Sequence, residues 1–164
     1  MKIYIASSWK NVHAVEMLTD LLRGNGHAVE SFVENQHGDR EGHTAMEHGT
    51  PMQFDEWIRT RRAAKCFVYD TNRATTSDLV IYVGPSGCDA WAEIGAAWSK
   101  EVIIFGLIAK GDQIGLMRKM VSCWFHDHRE MMGQIEDLQL RFDRDRDRDR
   151  DRDRDRDKVT EEVT

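Results

Sequence analysis

The sequence is poor in cysteine, in proline and in long apolar runs, and each shortage excludes a class of protein. Its three cysteines, Cys66, Cys88 and Cys123, are odd in number and far apart, with no C-x-x-C pair. Neither a disulfide framework nor a zinc knuckle follows from that spacing, and a reducing cytoplasm suits it best. No apolar run approaches the roughly 20 residues that a membrane-spanning helix needs. Met1 leads directly into KIYIA without a basic stretch and apolar core, so no export signal is expected. A basic stripe with interleaved aromatics is also missing, and the formal net charge is −6. A nucleic-acid backbone is therefore not the expected ligand. The one glycine-bearing turn of note, Gly84-Pro85-Ser86-Gly87, lacks the lysine of a phosphate-binding P-loop, which argues against an NTPase.

The charge is unevenly spread. From Asp143 to Asp157 the chain alternates strictly between eight Asp and seven Arg. Residues 143–164 hold 8 of the 23 basic and 10 of the 29 acidic side chains, which leaves 15 basic against 19 acidic, a net of −4, in residues 1–142. The alternating tail has no apolar face to bury against a core, so the composition predicts disorder or a transient, charge-laced helix with no catalytic role. Residues 1–142 are long enough for one three-layer domain.

Within that domain, strand and helix patterns alternate. Lys2 to Ala6 reads as a strand, with Ser7 or Ser8 placed to cap a helix over about Asn11 to Arg23. Val12, Val15, Leu18, Leu21 and Leu22 fall close to one stripe of that helix, and Gly24 and Gly26 end it. A second strand is expected over His27 to Phe32. Val33 to Met52, rich in glycine, histidine and charge, reads as a long loop over a site. Helices are expected over Phe54 to Ala64 and Cys66 to Thr76, followed by strands at Leu79 to Val83 and Val102 to Leu107, whose continuous apolar character suits parallel strands covered on both faces. A helical turn at Leu116 to Met120, a short edge strand at Val121 to Trp124 and a helix over His126 to Leu140 complete the series. This order predicts an α/β, flavodoxin-like, doubly wound parallel sheet of about five strands, with ligands at the strands' carboxyl ends.

The stretch from Ser77 to Leu107 is the most informative. The turn at Gly84 to Gly87 opens a helix whose first N–H groups suit an anion or a sugar hydroxyl. One carboxylate, Glu93, sits two turns in among Ala92, Ile94, Ala96 and Ala97, an odd place for a charge unless it is a solvated surface residue. Tyr4 and Trp9 around the first strand and Asp70 ahead of the third converge on the same edge. Two carboxylates, a tyrosine, an aromatic plate and an anion-binding turn could serve a glycosyl-type reaction. Each has a plainer alternative: Asp70 as a capping residue, Tyr4 as an ordinary strand tyrosine, Trp9 as a cover for the core edge, Ser86 as a simple N-cap. His37, His43 and His48 have no metal-ligand spacing, so no metal is expected, and no cofactor is.

KIYIASSW, the Asp70 to Asp78 spacing in DTNRATTSDLVIYV, AEIGAAWSKEVIIF with Glu93, and GLMRKM occur in an order and spacing that resembles the nucleoside 2-deoxyribosyltransferase family. The likeness extends to its relatives, the nucleoside 5'-monophosphate N-glycosidases, and covers residues 1 to about 125. The resemblance implies that Glu93 is the nucleophile attacking C1' of the sugar, and that Asp70 assists base protonation or orients the sugar hydroxyl. It further implies that Tyr4 hydrogen-bonds the nucleophile, that Trp9 packs on the base, and that Ser86 with neighbouring N–H groups holds the sugar 5' end. Family transferases carry an aspartate six residues before the nucleophile, where this chain has Gly87, with Asp89 nearby as a substitute. The Gly84-Pro85-Ser86-Gly87 turn is closer to the monophosphate hydrolases. Transfer of a deoxyribosyl group, hydrolysis of a nucleoside 5'-monophosphate, and a non-catalytic nucleotide sensor are the readings left open, and the resemblance implies a homo-oligomer.

Overall fold

The computed structural model describes residues 1–34 and 54–161. The loop histidines His37, His43 and His48 lie outside the described residues, as does most of the expected loop. The chain divides into two compact units, Met1–His126 and Asp127–Thr164.

The first unit is a parallel sheet of five strands, β1 (Lys2–Ala6), β2 (Ala28–Ser31), β3 (Leu79–Val83), β4 (Ile103–Leu107) and β5 (Cys123–Phe125), in the order β2-β1-β3-β4-β5. All four strand pairs are parallel, and Tyr4 stands beside Val80 in the register of β1 with β3. This is the flavodoxin-like order, and its direction of winding reverses between β1 and β3, the point where such sheets open a crevice at their carboxyl edge. Helices α1 (Val12–Gly24), α2 (Phe54–Ile58), α3 (Arg61–Thr76) and α4 (Cys88–Ser99) connect the strands.

Alternation along the strands sorts the core into two faces. Tyr4 and Ala6 of β1 share a buried cluster with Val80 and Tyr82 of β3, Ala74 of α3, and Ala90, Ile94 and Ala97 of α4. The alanines let both helices sit close on the sheet. Ile3, Ile5, Leu79 and Ile81, pointing to the other face, are also fully or almost fully buried, as are Val15 and Leu22 of α1.

Two expectations need correction. Neither Ser7 nor Ser8 caps a helix: Ser8 precedes a 3-10 turn over Trp9–Asn11 without a side-chain cap bond, and the Ser7 hydroxyl donates to the Val83 carbonyl at 2.6 Å. The second helical region breaks earlier than its apolar pattern suggests. Thr60 accepts a hydrogen bond from the Ala63 N–H at 3.0 Å and starts one continuous helix, α3, so the division falls at residues 59–60 rather than near Lys65.

In the second unit, a single helix, α5, runs from His128 to Glu161, through the Asp-Arg run. Of disorder and a charge-laced helix, the structure has the helix. Arg148–Asp145, Arg150–Asp147 and Arg152–Asp149 pair at i,i+3 with separations of 3.1–3.7 Å, all well exposed. Exposed pairs of this kind each contribute only a few tenths of a kcal/mol or so. Among the described residues, no helix is long and apolar enough to cross a membrane.

Candidate active site

Tyr4, Asp70 and Glu93, separated by 66 and 89 residues along the chain, meet above the middle of the sheet. Each arrives by a simple rule of its element. Tyr4 occupies the β1 position whose side chain faces the helices. Asp70 lies on the stripe of α3 that contains the buried Ala63 and Ala74, seven and four residues away. Glu93 lies on α4 three residues after Ala90 and four before Ala97, at the margin of the stripe that covers the sheet. Asp70 lies inside α3, within the Cys66 to Thr76 span expected to be helical ahead of the third strand.

The Tyr4 hydroxyl is 3.0 Å from Asp70 Oδ1 and 3.3 Å from Glu93 Oε2. A phenol has one proton to donate, so it can satisfy only one carboxylate at a time. The other must carry a proton of its own or face an oxygen without one. Burial pushes Glu93 up to about 8 from 4.5, the negative charge of Asp70 pushes in the same direction, the Tyr4 hydrogen bond opposes them, and Asp89 adds a smaller upward push. Tyr4 is completely buried, and burial together with the charges of Glu93 and Asp70 raises its own pKa, holding it as the neutral phenol. The cluster thus holds two carboxyl groups and one phenol in a setting that favours a shared proton.

The turn after β3 completes the edge. Gly84 donates its N–H to the Leu107 carbonyl at 3.1 Å, the Gly84-Pro85 peptide is cis, and Gly87 is the N-cap of α4. The Ser86 hydroxyl oxygen is buried without a hydrogen-bond partner among the described residues. Its own N–H is taken up by the Tyr82 hydroxyl at 3.3 Å. Gly87 is exposed, and a Cβ there would meet nothing within 4 Å, so its missing carboxylate is a matter of sequence and not of space. Asp89 is exposed in the first turn of α4. It receives the Cys88 thiol at 3.6 Å and touches neither Tyr4 nor Asp70 through any hydrogen bond in the structure. Trp9 is 37 % exposed at the end of β1, its ring edge-on to Phe32 with centroids 4.9 Å apart.

Sequence reasoning missed Asn11, Tyr82 and Asp112 around this turn. The Asn11 amide donates to the Pro85 carbonyl at 2.9 Å, and the Tyr82 hydroxyl donates to Asp112 Oδ1 at 2.8 Å. The polar tip on an otherwise apolar β3 was the available signal for Tyr82; Asp112, in a loop, offered none. A concavity of about 580 Å³ on α3, lined by Ala64, Val68, Tyr69 and Arg73 among others, contains none of Tyr4, Asp70 or Glu93.

No protein-family model matches the chain, and no curated protein matches it in sequence. Solved structures do. A 2-deoxyribosyltransferase from the psychrotolerant Bacillus psychrosaccharolyticus matches with a TM-score of 0.60 at 22% identity, over 80% of this chain and 90% of its own. The CMP N-glycosidase of Clostridium botulinum matches with a TM-score of 0.52 at 14% identity, over 83% of this chain and 99% of its own. A conserved protein from Enterococcus faecalis V583 matches with a TM-score of 0.59 at 14% identity, over 84% of this chain and 98% of its own. The likeness to the nucleoside deoxyribosyltransferases holds at the level of the fold.

Proposed function

We propose that this chain is an enzyme that cleaves the N-glycosidic bond of a 2'-deoxynucleoside or its 5'-monophosphate through a sugar held on Glu93, and transfers that sugar to another base. The observation that carries this reading is the Tyr4 hydroxyl in contact with both Asp70 and Glu93. The fold shared with a 2-deoxyribosyltransferase and a CMP N-glycosidase supports it.

The chemistry follows from the cluster. A carboxylate is the attacking species, so the proton that Glu93 tends to keep must move first. Tyr4 offers a path: Glu93 gives its proton to the phenol oxygen as the phenol gives its own to Asp70. Glu93 becomes the nucleophile and Asp70 the acid in one shift. A Glu93 oxygen then bonds to C1' as the C1'–N bond breaks, and the departing base takes its electron pair together with the proton from Asp70. A nitrogen of the incoming base attacks C1' in the second step, gives its proton to the Asp70 carboxylate, and releases Glu93 as a carboxylate. Two displacements at C1' give net retention.

Hydrolysis of a nucleoside 5'-monophosphate, with water in the second step, is the alternative that one observation favours: Gly87 has no carboxylate to contact a base, and Ser86 beside it keeps a buried hydroxyl without a partner. Trp9 would flank the base, and the turn Gly84 to Gly87 with Asp89 would receive the sugar end. As the family resemblance implies, the enzyme would self-associate, for which Ile58, Phe67 and Val68, each more than half exposed, offer apolar surface.

Chromatographic detection of free base tests the reading, with nucleosides and 5'-monophosphates offered with and without an acceptor base. Release by the wild type and not by E93Q is expected. Dependence on the acceptor identifies transfer, and release without one identifies hydrolysis. No release from any compound, with thermal stabilisation by the same compounds, would replace the enzyme with a sensor.

A further inference from the structure

Resting on that reading, we infer that Asn11 and the Tyr82–Asp112 pair are positioning residues, which clamp the Gly84 to Gly87 turn from opposite sides and so hold Ser86 at the sugar 5' end. On the β1 side, the Asn11 amide donates to the Pro85 carbonyl at 2.9 Å, to the Val83 carbonyl at 3.3 Å and to the Ser7 hydroxyl oxygen at 2.9 Å. Ser7 in turn donates to Val83 at 2.6 Å and is 8% exposed. Ser7 and Asn11 have the side chains of helix caps, yet neither the 3-10 turn nor α1 receives a cap bond from Ser8 or Asn11. The capping chemistry is diverted to the neighbouring turn.

On the β4 side, Tyr82 accepts the Ser86 N–H and donates to Asp112 Oδ1, and the other oxygen of Asp112 accepts the Ala109 N–H at 3.0 Å. Gly111, with φ of +102°, takes the left-handed backbone that turns this loop back toward β3. Asp112 then packs directly on Gly84, where any Cβ would run into its carboxylate. The Tyr82 ring is itself wedged, 4.7 Å from Trp91 and 5.8 Å from Trp124 between centroids.

Val83 O, Gly84 N, Pro85 O and Ser86 N are all bonded within the protein, while Ser86 Oγ is buried and free. Three backbone groups of the turn, Gly84 N, Pro85 O and Ser86 N, are thus held before binding. A turn held on both sides has less ordering entropy to lose when substrate arrives, so the clamps act on affinity for the 5' end and not on the step at C1'.

Y82F and N11A test this, with base release measured for substrates carrying a 5'-hydroxyl, a 5'-phosphate or no 5' oxygen, and Kd measured for ribose 5-phosphate alone. Each variant is expected to raise KM for 5'-oxygenated substrates about tenfold, the effect of losing roughly one hydrogen bond's net contribution. Expected kcat stays within about twofold, and KM for the 5'-deoxy substrate is unaltered. A loss equal for all three substrates, or one confined to kcat, would make the clamps merely structural and overturn the inference. If the wild type turns over nothing, the glycosidic reading fails by itself. The clamps are then judged by Kd: about tenfold weaker binding of ribose 5-phosphate in both variants sustains them. Unchanged affinity, or none in the wild type, ends them.

Discussion

At the scale of the residue, the account turns on one proton shared among Tyr4, Asp70 and Glu93, and substitution should move its titration in opposite directions. The one proton on the cluster leaves Glu93 and becomes the acid on Asp70, so kcat/KM is expected to fall as pH rises through about 8, where that proton is lost to solvent. Y4F removes the hydrogen bond that lowers the Glu93 pKa and should shift that limb to higher pH; D70N removes the charge that raises it and should shift the limb to lower pH. Parallel shifts in the two pH-rate profiles would contradict the shared-proton arrangement. Stability should respond as well. Between 4.5 and about 8 the unfolded chain has released the Glu93 proton while the folded protein keeps it, so wild-type stability from this group is complete below the lower value and lost as pH rises through the upper. E93Q stays neutral throughout. Thermal unfolding is therefore expected to give the two proteins similar midpoints near pH 4 and a higher midpoint for E93Q above pH 8, while its kcat falls by a factor on the order of 10³ or more. A nucleophile that costs stability in its active form is what a buried carboxylate beside another one must be.

At the scale of the element, α3 matters because it delivers Asp70. T60A removes the side chain that accepts the Ala63 N–H and is expected to lower unfolding free energy by about 1 kcal/mol in denaturant titration, with the loss of base release following the loss of order around Asp70. Much of the element order was legible. Leu79 to Val83 is apolar at every position because both of its faces are covered, and its expected limits match β3. The limits of α3 were obscured because Phe54, Trp57 and Ile58 continue an amphipathic pattern toward a break that only the Thr60 cap defines. Asp70 fell within the expected helix Cys66 to Thr76 all the same, and the full length of α3 adds Ala63 to the stripe it shares with Ala74. The expected topology already brought Tyr4, Asp70 and Glu93 to one edge, but their separate roles came only through family resemblance, because no spacing within 4, 70 and 93 tells a nucleophile from its helpers. Asn11 and Asp112 gave no signal, since the groups they hold are backbone carbonyls, an amide and a strand tyrosine that meet only in three dimensions.

At the scale of the whole molecule, the order β2-β1-β3-β4-β5 explains why the site lies where it does. The reversal between β1 and β3 brings Tyr4 beside β3, and α3 and α4, which flank β3 in sequence, add one carboxyl group each. The Asp-Arg run contributes no residue to this arrangement. Truncation after Phe142 is expected to leave both kcat/KM and the thermal midpoint of the first unit within error of the full chain, and a drop in either would give the charged helix a role that its exposed pairs do not supply. The measurement that tests the central claim most directly is the intact mass of the protein, quenched with acid seconds after mixing with substrate, followed by fragmentation of the modified peptide. One added sugar residue on Glu93 in the wild type, absent from E93Q, is the predicted result; base released at full rate with no adduct, or an adduct on another side chain, would contradict it.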